Sequence, residues 1–569
     1  MAEERIGVYV CNCGTNIGKI VDVAAVAASA LKIPGVAIAR SYKYMCSNPG
    51  QEMILQDIQD NGLTRIVVAS CSPRMHEATF RGAIKRASLN PYMLEMANIR
   101  EQCSWIHDDT AAASEKAKAL VHAAVQRVKF NEPLESRSAP MCASTVVLGG
   151  GVTGLTAALE LADAGQQVFL VEKQDHLGGN VARLDLTAPY LDSAQDLLRA
   201  WISRVERHPN IHLFLNAELT ELKGFNGNFK PRLRTEDGET LELDAGSVLV
   251  CTGYKEFDAS RISQYGYGRL PDVITSFELE AMLRTGKLQT KSGKLPRYVS
   301  IIHCVGSRSE RFHRYCSRVC CTAGLKYAFE IKSALPNARV ANLYTDIESF
   351  GKGCEDFYRK CSEAKTSFVM FAKGELPSVR AAAPEDGCGM LISLKEQLSG
   401  EEIEMPTDLV VLMVSMEPRE DAAEVAHIVN ISCDKDGWFI ESHPKLDPVA
   451  TTTDGVYIAG ACQFPRDIPE SITQGRAAVA RILGKVAQGK ISVDAVYSEV
   501  QDKLCAGCRA CNSLCPYGAI EFNVEKHVSH IISAVCKACG CCAAACPAGA
   551  IKVRHFTDEQ IYAQIEGVL

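Results

Sequence analysis

The chain has 569 residues, enough for three or four domains at roughly 150 residues each, and its 47% hydrophobic and 23% charged residues fit a globular protein. With 61 Lys and Arg against 68 Asp and Glu, the net charge is −7, and no long basic run points to nucleic acid. Every apolar run falls short of the roughly 18 residues that a membrane helix needs, and the acidic start MAEERIGVYVC does not read as a secretory signal.

Residues 1–140 alternate short apolar runs with helical stretches, which predicts a small parallel α/β sheet. The runs are Ile6–Val10, Val36–Arg40, Arg65–Ala69 and a fourth near Tyr92–Glu95. A helix over Glu115–Lys129 closes the block, and Asn131–Pro140 reads as a linker. Cysteines stand where the strands stop: Cys11 and Cys13, Cys46, Cys71 and Cys103. Parallel strands end along one edge, so a [4Fe–4S] cluster is expected from Cys46, Cys71, Cys103 and one of Cys11 or Cys13, with isolated core thiols as the alternative.

Residues 141–490 open on the strand Thr145–Leu148, which runs into Gly149-x-Gly151-x-x-Gly154 and a helix, Leu155–Ala164. A second strand, Val168–Val171, ends in Glu172, about where an acidic ribose ligand belongs. Glycines of this kind let a pyrophosphate approach the backbone at a helix N-terminus. Val152 and Thr153 lie in the turn, Lys173 follows the acid, and Leu177-Gly178-Gly179-Asn180 comes next. Asp454–Ala461, which includes Gly460, resembles the second FAD-contact strand of disulfide-reductase-type flavoproteins, and Val250-Cys251-Thr252-Gly253 resembles their strand leading back toward the flavin domain. Either Asp454 or Asp467 is expected at the ribityl chain, with Arg466 and Ile468 beside it. The expected cofactor is FAD.

A section over about 290–375 begins with the strand Tyr298–His303, where such flavoproteins carry a second glycine fingerprint for a nicotinamide. Cys304-Val305-Gly306-Ser307-Arg308 stands there instead. A third cluster is expected from Cys304, Cys316, Cys320 and Cys321, close to the flavin. The chain is read as returning to the flavin half through Leu409–Met413 and Gly455–Ala459.

Residues 491–569 hold Cys505-x2-Cys508-x2-Cys511-x3-Cys515-Pro516 and its repeat Cys536-x2-Cys539-x2-Cys542-x3-Cys546-Pro547. This is the two-cluster ferredoxin spacing, in which the fourth cysteine of each run ligates the other cluster. One [4Fe–4S] set is therefore Cys505, Cys508, Cys511 and Cys546; the other is Cys536, Cys539, Cys542 and Cys515. A single zinc takes four ligands and does not explain the doubling. Large size and x2 spacings place the 25 cysteines in a reducing, cytoplasmic compartment, as thiolate ligands rather than disulfides. Cys541, between ligands, reads as a spare thiol. Cys142, Cys251, Cys354, Cys361, Cys388, Cys433 and Cys462 read as structural, with Cys354 and Cys361, in a Gly-rich polar loop, as the readiest exceptions.

The stretches VYVCNCGTNIG, NPYMLEMANIREQCSWIH, LGGGVTGLTAALELA, CVGSRSERFHRYCSRVCC and IAGACQFPRDIPESITQGRAA, with the doubled cysteine run, resemble the A-subunit family of heterodisulfide reductase over nearly the whole length. The resemblance implies an α/β, Rossmann-type FAD domain with a degenerate nicotinamide subdomain, between the N-terminal sheet and a ferredoxin domain. It also implies an electron-transfer subunit with FAD and two to four clusters. Its partners would be B and C subunits, a hydrogenase or iron–sulfur adaptor, and ferredoxin, around a possible homodimer core. Related benzoyl-coenzyme A reductases, quinone-interacting oxidoreductases and a stand-alone NAD(P)H-dependent flavin oxidoreductase are the alternatives. Many methanogen relatives insert a second ferredoxin after a segment like Gly224–Lys230; here Pro231–Arg234 and Leu241–Leu243 continue directly as a hairpin-like connection. Arg466 stands where relatives often have Lys near the flavin ring.

Overall fold

The computed structural model describes residues 4–135, 137–493 and 495–569. Ser136 and Asp494, which fall near the two expected domain junctions, and residues 1–3 lie outside the described residues. The chain divides into two compact units. One joins residues 1–138 with 492–569, and the other is residues 139–491.

In the first unit, four parallel strands stand in the order Val36–Tyr42, Ile6–Cys11, Arg65–Ser70, Leu94–Asn98. Ile6, Val8 and Val10 point to one face of the central strand and Tyr9 and Cys11 to the other, and all are buried, as a sheet covered by helices on both sides requires. The helix Thr110–Val128 covers the first face with Ala113, Ala117, Val121 and Val125. Its other face meets the C-terminal helix Asp558–Glu566. Arg127 is the pin: its guanidinium donates to Gln564 Oε1 (3.1 Å) and to the His555 carbonyl (3.0 Å), and faces Glu95 at 3.4 Å. Gln560 Nε2 donates to the Phe130 carbonyl and to Asn131 Oδ1.

The second unit holds two parallel five-stranded sheets. The first runs Val456–Ile458, Ser247–Val250, Ser144–Leu148, Gln167–Val171, Ile211–Phe214. The second runs Val273–Thr275, Leu409–Val414, Tyr298–Val305, Arg339–Tyr344, Ser367–Met370. Leu409–Val414 thus differs from its expected place: it pairs with Val273–Thr275 and Tyr298–Val305, so the inserted sheet opens before 290 and closes beyond 375. All six residues of that strand are buried. A strand apolar on every position suits the middle of either sheet, so its sequence could not choose between them. The connection after Gly224 is an antiparallel meander of Glu218–Phe225, Asn228–Arg234 and Thr240–Glu242. Among the described residues, no helix is long and apolar enough to cross a membrane.

Burial pushes the Glu95 carboxyl up to about 7, against the pull of Arg127. The folded state therefore holds a proton that the unfolded chain has released above an ordinary value of 4.5. Stability from this group is complete below that value and is lost as pH rises through about 7. Thermal unfolding of the full chain across this window should show a smaller decline for Glu95→Gln than for the wild type; equal declines would refute the assignment.

Candidate functional site

The strands of the first sheet in the second unit deliver their C-terminal ends to one cavity of about 1310 Å3. Its floor is the glycine turn. Gly149 has φ +106°, and a Cβ there would stand 2.4 Å from the Cys251 carbonyl oxygen. At Gly154 a Cβ would lie 1.9 Å from the Gly149 carbonyl oxygen, so the helix Val152–Asp163 can begin this close to its strand only without a side chain. Gly151 has nothing within 4 Å of a Cβ, which leaves its backbone open to the cavity.

The acidic strand end locks the turn. Glu172 accepts the Gly150 N–H at 2.6 Å and the Gln174 N–H at 2.8 Å. A carboxylate has about four acceptor positions, which leaves capacity for ribose hydroxyls. The Gly178 N–H donates to the Gly150 carbonyl at 2.8 Å, fastening the second glycine pair to the first. Asn180 Nδ2 donates to the Tyr254 carbonyl at 3.1 Å. Gly149, Gly151, Val152, Thr153 and Glu172 line the cavity, as do Gly178, Gly179 and Asn180, and Thr252 and Gly253. Lys173 lines it too, but its ammonium pairs with Asp421 (3.0 Å) and Glu218 (3.4 Å). Gly154 and Gly460 pack beneath: a Cβ on Gly460 would meet Thr153 Oγ1 at 2.4 Å.

The opposite wall begins the helix Ile468–Val486. Asp467 is its cap, accepting the Glu470 N–H at 2.7 Å, and Arg466, Asp467 and Ile468 all line the cavity. Arg466 donates to Gln463 Oε1 at 3.0 Å, and burial lowers its pKa from the ordinary value. Asp467 and Ile468 thus present a helix N-terminus to the cavity, favourable for an electron-rich group.

Cys320 lines the same cavity. It starts the helix Cys320–Ala334, while Cys304, in a left-handed conformation (φ +58°), sits near the end of its strand. The four thiols feel one another. Burial pushes Cys304 up to about 12, and the charges of Cys321 and Cys316 add to that rise. Contact with Cys321 holds the Cys320 thiol up, while Cys320 and His303 hold Cys321 down. Arg318, not foreseen from the sequence, ties this loop to the opposite wall: it donates to the Pro465 carbonyl at 3.1 Å and pairs with Glu470 at 2.5 Å. A cation between two cysteines was the available signal. Cys354, read as structural, also faces the cavity.

In the first unit, Cys11, Cys13, Cys46 and Cys71 come together, with Cys13 central: its charge acts on each of the other three. Arg100 Nη1 donates to Cys13 Sγ at 3.5 Å. Cys103 departs from the expected set. It is fully buried and its thiol donates to the Ala113 carbonyl at 3.0 Å, inside the core under the helix Thr110–Val128. The turn Arg100–Ser104 is a π-type helical turn, which rotates residue 103 inward; nothing in the spacing signals it.

The C-terminal repeat surrounds two cavities. Cys505, Cys508, Cys511 and Cys546 ring one, and Cys515, Cys536, Cys539, Cys541 and Cys542 ring the other. Backbone N–H groups point at the sulfurs: Ala519 to Cys515 (3.3 Å), Ala538 to Cys536 (3.4 Å) and Ala550 to Cys546 (3.3 Å). Such donors stabilise thiolates that carry cluster charge. Among the described residues, no three His, Cys, Asp or Glu gather on a single metal ion. The thiols surround spaces instead, the arrangement a cubane requires.

An FAD-type cavity joined in one chain to a two-cluster ferredoxin defines an iron–sulfur flavoprotein, part of an oxidoreductase. Residues 109–266 match the pyridine nucleotide-disulphide oxidoreductase family, and residues 498–547 match the 4Fe-4S dicluster domain. The chain is 42% identical to the second of two iron–sulfur A subunits of CoB–CoM heterodisulfide reductase in Methanopyrus kandleri, over 100% of this chain and 99% of that protein. It is 38% identical to the A subunit of the H(2):CoB-CoM heterodisulfide,ferredoxin reductase of Methanothermobacter thermautotrophicus, over 100% and 98%. Thioredoxin reductase of T. acidophilum is similar at 16% identity and a TM-score of 0.42, covering 61% of this chain and 99% of that one. The chain belongs to the A-subunit family of heterodisulfide reductase. It binds FAD and [4Fe–4S] clusters and serves as an electron-transfer subunit of an oxidoreductase complex.

Two glycine variants separate fold from cofactor. Gly154→Ala should lower the stability of the apoprotein by about 1–3 kcal/mol, the usual overpacking cost, and also lower flavin content. Gly151→Ala should leave apoprotein unfolding unchanged and reduce only the flavin-to-protein absorbance ratio. Equal apoprotein stabilities for the two variants would contradict the packing described.

Proposed function

We propose that this chain is the branching subunit of a heterodisulfide-reductase-like complex, where electron pairs are split into, or assembled from, single electrons. The carrying observation is that Cys320 lines the cavity built by the flavin residues. FAD supplies a two-electron centre and each cluster a one-electron centre. The protein's part is placement: the glycine turn and Glu172 hold the adenosine end, and the start of the helix Ile468–Val486 faces the ring end. Arg466 supplies positive charge there, and Cys304, Cys316, Cys320 and Cys321 hold a cluster against the same cavity. Cys11, Cys13, Cys46 and Cys71 hold a further cluster in the first unit, in place of the set with Cys103. The eight repeat cysteines hold the remaining two.

B and C subunits, a hydrogenase or small iron–sulfur adaptor, and ferredoxin are the proposed partners, in the cytoplasm. Four relatives carry names that couple a heterodisulfide with ferredoxin, which supports bifurcation between a high- and a low-potential acceptor. The 42% identical relative aligns over 655 positions against 569 residues here. The missing length supports a chain without the inserted ferredoxin, so the low-potential exit falls to the C-terminal clusters. A stand-alone NAD(P)H-dependent flavin oxidoreductase is disfavoured because the nicotinamide turn is filled. At Gly306 a Cβ would stand 2.6 Å from the Phe257 ring, and the cysteine loop follows directly.

Anaerobically prepared Cys304/Cys316/Cys320/Cys321→Ala protein should lose about four irons, one cubane's worth, while keeping its flavin. An unchanged iron content would remove the cluster from this site. In the wild type, an anaerobic redox titration should show crossed flavin potentials, and NADH should fail to bleach the flavin stoichiometrically. Uncrossed potentials would reject bifurcation, and rapid bleaching would favour the stand-alone reductase.

A further inference from the structure

Five thiols ring the second ferredoxin cavity, and a cubane uses four. The repeat itself shows that the fifth is an addition. In the first copy the residue before the third ligand is Ala510; in the second it is Cys541. The two copies share one backbone. Gly507 and Arg509 are left-handed in the first (φ +67° and +61°), and Ala538 and Gly540 are left-handed at the matching places in the second (φ +51° and +80°). Ala510 lines its cavity and Cys541 lines the other. The turn is thus satisfied by a methyl group, and packing does not demand a thiol.

Neighbouring geometry says which ligand the extra thiol accompanies. Cys542 is buried, while Cys539 and Cys541 are both exposed. Cys539 and Cys541 both line the second cavity. Gly540 stands between them in the sequence, with open space where its Cβ would be.

We propose that Cys541 is an interchangeable ligand for the corner of the second ferredoxin cluster assigned to Cys539. This rests on the reading that these thiols hold a [4Fe–4S] cluster. The exchange forms an iron–sulfur bond to Cys541, breaks the one to Cys539 and moves one proton from the incoming thiol to the outgoing thiolate. The cluster's electron count is unchanged. The site thereby keeps its cluster when its most exposed ligand is oxidised or alkylated, an advantage the first copy lacks.

The test uses the full chain prepared anaerobically, with iron and sulfide quantification and electron paramagnetic resonance. Cys539→Ala should retain wild-type iron with an altered reduced-cluster signal. Cys508→Ala, with no spare thiol, and the double variant Cys539→Ala/Cys541→Ala should each lose iron and show an oxidised three-iron signal. Cys541 should be alkylated in native wild type and protected in Cys539→Ala. Matching iron loss in Cys539→Ala and the double variant overturns the inference while leaving the cluster reading intact. So does failure of both Cys539→Ala and Cys539→Ser to accumulate where Cys541→Ala accumulates. Wild-type protein without iron at the repeat overturns the reading and the inference together.

Discussion

The flavin half of this protein depends on one close approach, that of the Gly154 α-carbon to the carbonyl of Gly149. A side chain at 154 would place a carbon 1.9 Å from that oxygen. Because none is present, the helix Val152–Asp163 starts directly over the end of its strand and turns its first N–H groups toward the cavity. The other elements then pack on that turn. Glu172 and Gly178 bond to Gly150, Cys251 abuts Gly149, and Gly460 presses on Thr153. These partners come from segments far apart along the chain, and each is backbone or a short polar group. They converge only if the turn is as tight as glycine allows.

A second regularity follows from parallel strands. Such sheets gather their C-terminal ends on one edge, and in both sheets of the second unit and the sheet of the first a glycine turn or a cysteine stands at such an end. The flavin turn follows Ser144–Leu148, Cys304 sits near the end of Tyr298–Val305, and Cys11 closes Ile6–Cys11. In the inserted sheet a cysteine loop occupies the position of a nucleotide-binding turn. The exchange is economical, because a strand end already has unpaired backbone groups and tight turns, and these suit a sulfur ligand as well as a phosphate.

What the sequence discloses divides along the same physical line. Spacing within a single turn is legible: C-x2-C-x2-C and G-x-G-x-x-G fix their residues by local geometry, and the repeat cysteines and glycine turn stand around cavities. Convergence between distant segments is less so. Cys11, Cys46 and Cys71 can be grouped because strand ends share an edge. The inward rotation of Cys103 depends on one π-type turn that no pattern announces. Leu409–Val414 reads equally well in either sheet because an all-apolar strand carries no address. Arg100 is silent in the sequence because a lone arginine reads as surface, and the only signal for Arg318 is its place between two cysteines; packing reveals that each donates into a cysteine loop or to its opposite wall.

The first unit adds a constraint on how the two ends of the chain must fold. Its sheet and its ferredoxin repeat are separated by the whole flavin segment, yet they share a core boundary along the helix Thr110–Val128. Arg127 alone reaches a strand, a loop and the final helix. Gln560 caps the last carbonyls of the same region. A buried arginine left without partners costs far more than a surface ion pair contributes. Arg127 therefore has its full set of partners only when the last helix, Asp558–Glu566, is in place. The thiols of the N-terminal sheet and those of the ferredoxin repeat consequently belong to one compact unit, and a chain cut before the repeat would expose Arg127 and the alanine-rich face around Ala123 that Gly567 touches. The flavin segment, by contrast, is bracketed in sequence by that unit and has its own sheets, two of them five-stranded, and its own cores. Each unit is thus a scaffold with its own sheets and cores within one polypeptide.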